Sequence, residues 1–392
     1  MSLLDKFSVA RELKSGLENA GKDPTSVVFD RLNSATEGVV EGRTTILAGT
    51  NNYLGLTFDP VCIAAGVDAM QTQGTGTTGS RMANGSYAAH GALEAELADF
   101  FGCPNAMVFS TGYAANLGVL SAVLGKGDAV LLDADAHASL YDGCRMSEAD
   151  IYRFKHNDVQ SLERRIARLG ERADRCLIVV EGMYSVLGDS APLQEIVAIK
   201  ERYGAQLLVD EAHSLGVFGE RGCGVAEQQG VLDKVDFIVG TFSKSLGAMG
   251  GFCVSRHAVL NLFRYVSRPF MFTASPSPAV MATTREALRQ LRTNPRLKAT
   301  LWSNARRLYA GLQDLGFELG PEVSPVIAVR CQDRVSALAQ WNQLLQAGIY
   351  VNMMLPPATP GGGSFLRCSV SAAHTPEQIT TIIEKFAELK QF

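Results

Sequence analysis

Two side chains of opposite chemistry stand thirty-four positions apart: Asp210 in Val209-Asp210-Glu211-Ala212-His213-Ser214 and Lys244 in Gly240-Thr241-Phe242-Ser243-Lys244-Ser245. Each follows a short apolar run that reads as a β-strand, Leu207–Val209 and Phe237–Val239. A lysine just past a strand end can form an imine with an aldehyde, provided its surroundings keep part of it as the neutral amine. A carboxylate against a pyridine nitrogen keeps that nitrogen protonated, so the ring can accept the electron pair left when a bond to an amino acid's α-carbon breaks. Lys244 and Asp210 so placed point to a pyridoxal phosphate site. His213 is placed to hydrogen-bond the ring's phenolic oxygen, and Thr241 and Ser243 offer hydroxyls to its phosphate. Ser110-Thr111-Gly112-Tyr113 opens a helical stretch whose free N–H groups and positive dipole end favour a dianion, with the amides of Gly112 and Tyr113 as donors. His137, in Asp135-Ala136-His137-Ala138-Ser139 past another strand end, is placed to stack its ring over the cofactor. Any one of these residues alone is more often packing or surface than catalysis; their joint occurrence at strand ends carries the reading.

Those ends need a frame that brings them together. From about residue 46 to 275, short β-rich runs alternate with amphipathic helical stretches, the pattern of an α/β unit with a mostly parallel central sheet and helices on both faces. Polar residues just past the carboxyl ends of such strands collect in one crevice, where ligands bind. Residues 1–45 read as a helical arm and a short connector, with Leu3, Leu4, Phe7, Leu13 and Leu17 at roughly helical spacing. From 276 to 392 helical periodicity leads to short strands near Val326–Val329 and Phe365–Val370 and a last helix from Thr375, a smaller α+β domain. The run Pro-Pro-Ala-Thr-Pro-Gly-Gly-Gly at 356–363 reads as a stiff turn followed by a hinge-like loop.

Composition narrows the function classes. Over 392 residues, 36 Lys and Arg against 40 Asp and Glu leave no basic field for a phosphate backbone, so nucleic acid is not expected as a partner. The eight cysteines show no Cys-x-x-Cys and no clustered Cys/His spacing, so no metal is expected, and a reduced cytoplasmic protein fits best. No apolar run approaches the roughly 18 residues of a spanning helix. Two motifs mislead. Gly74-Thr75-Gly76-Thr77-Thr78-Gly79 has the glycine spacing of a dinucleotide fingerprint but follows the helical stretch Val61–Met70 instead of a strand. Asp210-Glu211-Ala212-His213 spells a helicase-like tetrad, yet no phosphate-binding G-x-x-x-x-G-K-[ST] loop precedes it.

Taken in order, Asn52-Tyr53-Leu54-Gly55, Gly79-Ser80-Arg81, Ser110-Thr111-Gly112-Tyr113, Asp133 through Ser139, Glu181-Gly182-Met183-Tyr184-Ser185, Asp210 through Ser214 and Thr241 through Ser245 resemble the α-oxoamine synthases, among the fold type I pyridoxal phosphate enzymes. The resemblance spans roughly residues 45–390 and is strongest to soluble bacterial members that join L-serine to palmitoyl-coenzyme A, through His137–Cys144, Arg268–Ser275 and Tyr350–Met353. It implies a decarboxylative condensation giving 3-oxosphinganine, coenzyme A and carbon dioxide, the first step of sphingolipid synthesis. In that reading Lys244 removes the α-proton, His137 orients the substrate carboxylate and contacts the thioester oxygen, and Arg367 binds the carboxylate. Ser185 contacts the ring, Asn52 contacts the carboxylate, and Thr273 reaches a neighbour's cofactor phosphate in a homodimer with a shared active site. A lipid product also makes peripheral contact with a membrane conceivable.

One departure stands out: Leu355 occupies the place of an arginine in the related loop, here Asn352-Met353-Met354-Leu355-Pro356-Pro357. It keeps open a sister reaction using glycine, alanine or another amino acid with a different acyl-coenzyme A or an acyl carrier protein. A non-catalytic subunit of the same fold would be expected to lose its lysine, and Lys244, Asp210, His137 and His213 are all present.

Overall fold

The structure is a computed structural model that describes residues 3–19, 21–356 and 358–389. The chain forms two compact units: residues 54–185 with 189–299, and the residues through Tyr53 with 186–188 and those from Thr300 on.

The smaller unit begins with a helix, Ser8–Asn19, and three strands, β1 (Arg31–Leu32), β2 (Glu37–Val40) and β3 (Arg43–Leu47). The connector expected before residue 45 is therefore a hairpin. β2 and β3 pair antiparallel across Glu41 and Gly42, at φ 52° and 73°. Positive φ at both turn residues is the twist-matched form for a two-residue hairpin, and Glu-Gly carries a weaker signal for it than Asn-Gly or Asp-Gly.

The larger unit holds a seven-stranded sheet: β4 (Asn105–Phe109), β5 (Ala129–Asp133), β6 (Asp150–Phe154), β7 (Cys176–Glu181), β8 (Gln206–Asp210), β9 (Phe237–Thr241) and β10 (Gly251–Ser255), in the order β4-β10-β9-β8-β7-β5-β6. Only β10 runs against its neighbours. β5, β7, β9 and β10 are buried along their whole length, as strands covered by helices on both faces must be. Met107, Phe109, Val130, Leu132, Val179, Leu208 and Val239 pack with Val119 and Leu120 of helix Gly112–Val123 and Leu140 of helix Ala138–Arg145. Each such side chain contributes about 1.5–3 kcal/mol on burial. The glycine-rich run at 74–79 follows helix Pro60–Gln73 and opens no helix, so it is a loop, with Gly74 at φ 82°.

The C-terminal part of the smaller unit adds β11 (Val326–Cys331), β12 (Ile349–Tyr350), β13 (Asn352–Met354) and β14 (Ser364–Ser369). β12 pairs parallel with β3, while β11, β14 and β13 form an antiparallel sheet. The units thus divide differently from the expected cuts at 45 and 275. The β3–β12 pairing ties the N-terminal strands to the C-terminal part, and helix Pro278–Thr293 packs on helix Pro60–Gln73 of the larger unit. In the 356–363 run Pro357 lies outside the described residues, and Gly361 and Gly362 turn the chain at φ 58° and 70°. Among the described residues no helix is long and apolar enough to cross a membrane.

In the larger unit, His156 joins the ends of β5 and β6 to the loop after β7. Its Nδ1 lies 2.9 Å from Asp133 Oδ1 and its Nε2 2.8 Å from Asp189 Oδ2. Burial by itself would lower its pKa, but the hydrogen bonds and charges of the two carboxylates outweigh that and push it up to about 10. His374, in the smaller unit, has the opposite fate. It accepts the Ser371 N–H at Nδ1, 2.9 Å away, and burial lowers it to about 4. The stability due to His156 is fully present below the ordinary histidine value near 6.5 and is lost as pH rises through about 10. That due to His374 is present above 6.5 and lost as pH falls through about 4. Thermal melts from neutral pH to about 10 should therefore show a falling Tm in the parent protein and a flatter profile in His156→Gln; parallel profiles would contradict the clamp.

Candidate active site

The carboxyl ends of the strands surround a cavity of about 400 Å³ within the larger unit, lined by Lys244, Asp210, His137, His213, Thr241, Ser243, Gly112 and Tyr113 among others. The sheet explains the convergence. β7, β8 and β9 run parallel, so Glu181, Asp210 and Thr241 reach the same edge, and antiparallel β10 returns to that edge at Gly250 and Gly251. Ser185 and Thr273 do not line this cavity.

Asp210 is 5% exposed. Its Oδ1 accepts the Ala212 N–H at 2.9 Å and its Oδ2 accepts from Asn116 Nδ2 at 2.7 Å. Glu181 stands beside it in register across β7 and β8 and is 3% exposed. Burial first, then the negative charge of Asp210, pushes the Glu181 carboxyl far above the ordinary carboxylate range, against the opposing pull of Lys244 and the His137 N–H. Glu181 thus holds its proton more readily than an ordinary glutamate. Its Oε1 accepts the His137 N–H at 2.6 Å, which fixes the turn that carries that ring. Burial lowers the pKa of His137, and Lys244 lowers it further, against the attraction of Asp210 and Asp142.

The next residue in the chain, Glu211, serves as a strut. It accepts from Ser214 Oγ and from the N–H groups of Val225 and Ala226 at 3.0 and 2.8 Å, and burial raises its carboxyl to about 7. A Cβ on Gly182 or Gly224 would collide with it. The Asp-Glu-Ala-His tetrad therefore has one carboxylate in the cavity and one in the scaffold.

At the far side of the cavity, Thr111 caps helix Gly112–Val123 by accepting the Ala114 N–H at 2.9 Å. The N–H groups of Gly112 and Tyr113, in the first turn, are the helix-end donors beside the cavity. Gly112 fits tightly: a Cβ there would lie 2.8 Å from Thr241 Cβ. Thr241 Oγ1 donates to Gly250 O at 2.9 Å, so Ser243 Oγ is the donor in the 2.9 Å contact between the two hydroxyls. Pyridoxal phosphate fits this set. A bare-backbone cradle at a helix start suits its phosphate, a buried carboxylate suits its ring nitrogen, and a lysine lines the same cavity.

Arg367 and Asn52 belong to the smaller unit. Arg367 is 3% exposed and is no surface ion pair; both terminal nitrogens donate to Asn51 Oδ1 at 3.1 Å, and Nη1 donates to Ser369 Oγ at 2.7 Å. Asn51, which the sequence reading passed over, holds the guanidinium. Asn52 is buried one residue further on, with its Nδ2 3.5 Å from Ala35 O.

Residues 43–386 match the family of class I and II aminotransferases. A serine palmitoyltransferase of Caulobacter vibrioides is 56% identical over 99% of this chain and 96% of its own length. A solved serine palmitoyltransferase of Sphingomonas wittichii superposes with a TM-score of 0.97 at 50% identity, covering 100% of this chain and 98% of that one. A high-resolution serine palmitoyltransferase structure with pyridoxal phosphate gives the same TM-score at 49% identity, covering 100% and 99%. The chain belongs to the class I and II aminotransferase family, on the branch of the serine palmitoyltransferases.

In this aminotransferase-family site, seven lining residues went unassigned from sequence, among them Asn116, Ser139 and Glu181. Asn116 and Ser139 sit inside helices, where a polar residue carries no strand-end signal. Glu181 ends a strand as Asp210 does, but the burial and the Asp210 charge that raise its carboxyl arise only in the folded chain. Because burial and Asp210 favour the protonated form of Glu181, Glu181→Gln should keep stability within about 1 kcal/mol of the parent, whereas Glu181→Ala leaves the His137 N–H unsatisfied and should cost about 1–3 kcal/mol. Urea unfolding of the two variants measures the difference; equal losses would refute the favoured protonated form.

Proposed function

We propose that this protein condenses L-serine with palmitoyl-coenzyme A to give 3-oxosphinganine, coenzyme A and carbon dioxide, using pyridoxal phosphate. The observation that supports it best is the gathering of Lys244, Asp210, His137 and His213 around one cavity, in a chain so similar over its full length to serine palmitoyltransferases. Asp210 would hold the ring nitrogen, His213 the phenolic oxygen, and Gly112, Tyr113, Thr241 and Ser243 the phosphate. When bound, the cofactor supplies an aldehyde that joins amines and a ring that takes up the electron pair released at the amino acid's α-carbon.

The chain's own residues supply the rest. Lys244 Nζ takes the α-proton of serine. His137 holds an oxygen of the carboxylate or thioester. Arg367, oriented by Asn51 and Ser369, is the carboxylate-binding candidate, since its planar fork matches two oxygens. Loss of carbon dioxide and release of coenzyme A balance the new carbon–carbon bond.

Two finer readings accompany this. Thr273 would serve a neighbour's cofactor in a homodimer, which suits its place away from its own chain's cavity and the exposed apolar side chains of Leu262, Tyr265, Val266 and Phe272 nearby in sequence. A cytoplasmic, reducing setting suits eight buried free thiols.

Purified protein incubated with L-serine and palmitoyl-coenzyme A should yield the long-chain 3-ketone by mass spectrometry, with glycine and alanine plus shorter thioesters as comparators. Product from a comparator pair and none from serine would assign a sister reaction. Lys244→Ala should lower turnover by on the order of 10²–10⁴ and abolish a near-visible absorbance band that borohydride also removes in the parent. A parent that stays colourless after addition of the cofactor would refute the site.

A further inference from the structure

We propose that Asn116 and Ser139 are positioning residues that lock His137 in the tautomer carrying its proton on Nε2, so that the ring meets the cavity as a hydrogen-bond donor. The argument runs through donors and acceptors. Asn116 Nδ2 lies 2.7 Å from Asp210 Oδ2 and 2.9 Å from Ser139 Oγ. A carboxylate oxygen only accepts, so the amide must present its nitrogen to Asp210. The second hydrogen of that nitrogen then points to Ser139 Oγ, which must accept it. The single hydrogen of the Ser139 hydroxyl is left for His137 Nδ1, 2.7 Å away. The Ser139 N–H adds a second donor to Nδ1 at 3.2 Å, because His137 is also the N-cap of helix Ala138–Arg145.

Facing two donors, Nδ1 holds a lone pair, and the proton of the neutral ring sits on Nε2. Asn116 Oδ1 is buried without a partner, so the hydrogen bonds that hold this amide are those of its nitrogen. The charged groups that act on the ring are Asp210 and Asp142 on one side of the balance and Lys244 on the other, with Glu181 holding its backbone. The bridge Asp210–Asn116–Ser139–His137 thus sets the ring's hydrogen pattern from a carboxylate it does not touch directly. A ring so fixed can donate from Nε2 to a carboxylate or thioester oxygen. It cannot take a proton there without losing the arrangement, which leaves proton removal to Lys244.

The catalytic consequence rests on the function proposed above, whereas the tautomer is a property of the protein alone. The test uses protein labelled with ¹⁵N-histidine and freed of cofactor, with the His137 signals identified by their absence in His137→Asn. Nitrogen NMR of the parent should show the Nε2–H tautomer alone. Ser139→Ala and Asn116→Leu should raise the minor tautomer by about tenfold or more, the equivalent of one hydrogen bond. In cofactor-loaded Ser139→Ala, kcat should fall about tenfold with the absorbance band intact. If Asn116→Leu does not fold, Ser139→Ala decides. An Nδ1–H tautomer in the parent, or an unchanged tautomer ratio in Ser139→Ala, would overturn the proposal. A shifted ratio with unchanged kcat would overturn its catalytic half. Failure to make the 3-ketone while the tautomer behaves as stated would count against the assigned reaction and not against the bridge.

Discussion

Two buried carboxyl groups side by side cannot both be charged without a large cost, and this constraint organises the cavity. The register of β7 against β8 sets Glu181 beside Asp210, and burial with the Asp210 charge pushes the Glu181 carboxyl well above the ordinary range. Each then takes a different task. Asp210 is gripped by Asn116 and the Ala212 N–H, while Glu181 anchors the backbone of His137. Glu211 turns away and binds two backbone N–H groups and a hydroxyl instead. Three neighbouring acids end in three different environments because the sheet edge, and not their chemistry, decides what each one meets.

The strand ends were the legible part. Parallel strands buried on both faces are written as uninterrupted apolar runs, so the first polar residue after each run marks the edge where ligands gather; Lys244, Asp210, His137, Thr241 and Ser243 stood out for that reason and share one cavity. Asn116 and Ser139 did not, since they lie inside helices and the contact between them joins two different helices that no spacing rule links. The hairpin at residues 37–47 was hidden by a Glu-Gly turn. Helix Pro278–Thr293 was legible as a helix, but its buried face of Met281, Thr284, Leu288 and Leu291 does not name what it packs on. Periodicity reports that a face is buried and leaves its neighbour open.

Two structural histidines titrate well away from neutral pH. His156 between two carboxylates and His374 in an apolar setting have been moved in opposite directions, to about 10 and about 4. Around neutrality neither changes its charge, whereas Glu211 in the scaffold, with its carboxyl raised to about 7, does, so a pH response of turnover near neutral pH combines its titration with that of the groups lining the cavity.

The segment between β9 and β10 bears on how the reactive amine can move. Only residues 242–250 join these antiparallel neighbours, and they are tied internally by Phe242 N–H to Gly250 O, Ala248 N–H to Phe242 O and Gly247 N–H to Lys244 O, each at 3.0 Å. A lysine on so short and cross-braced a bridge keeps a fixed backbone address. Its nitrogen can leave and return only by rotation about its own carbon–carbon bonds, along the same arc in every turnover, and lengthening the bridge by even one residue would displace the start of that arc.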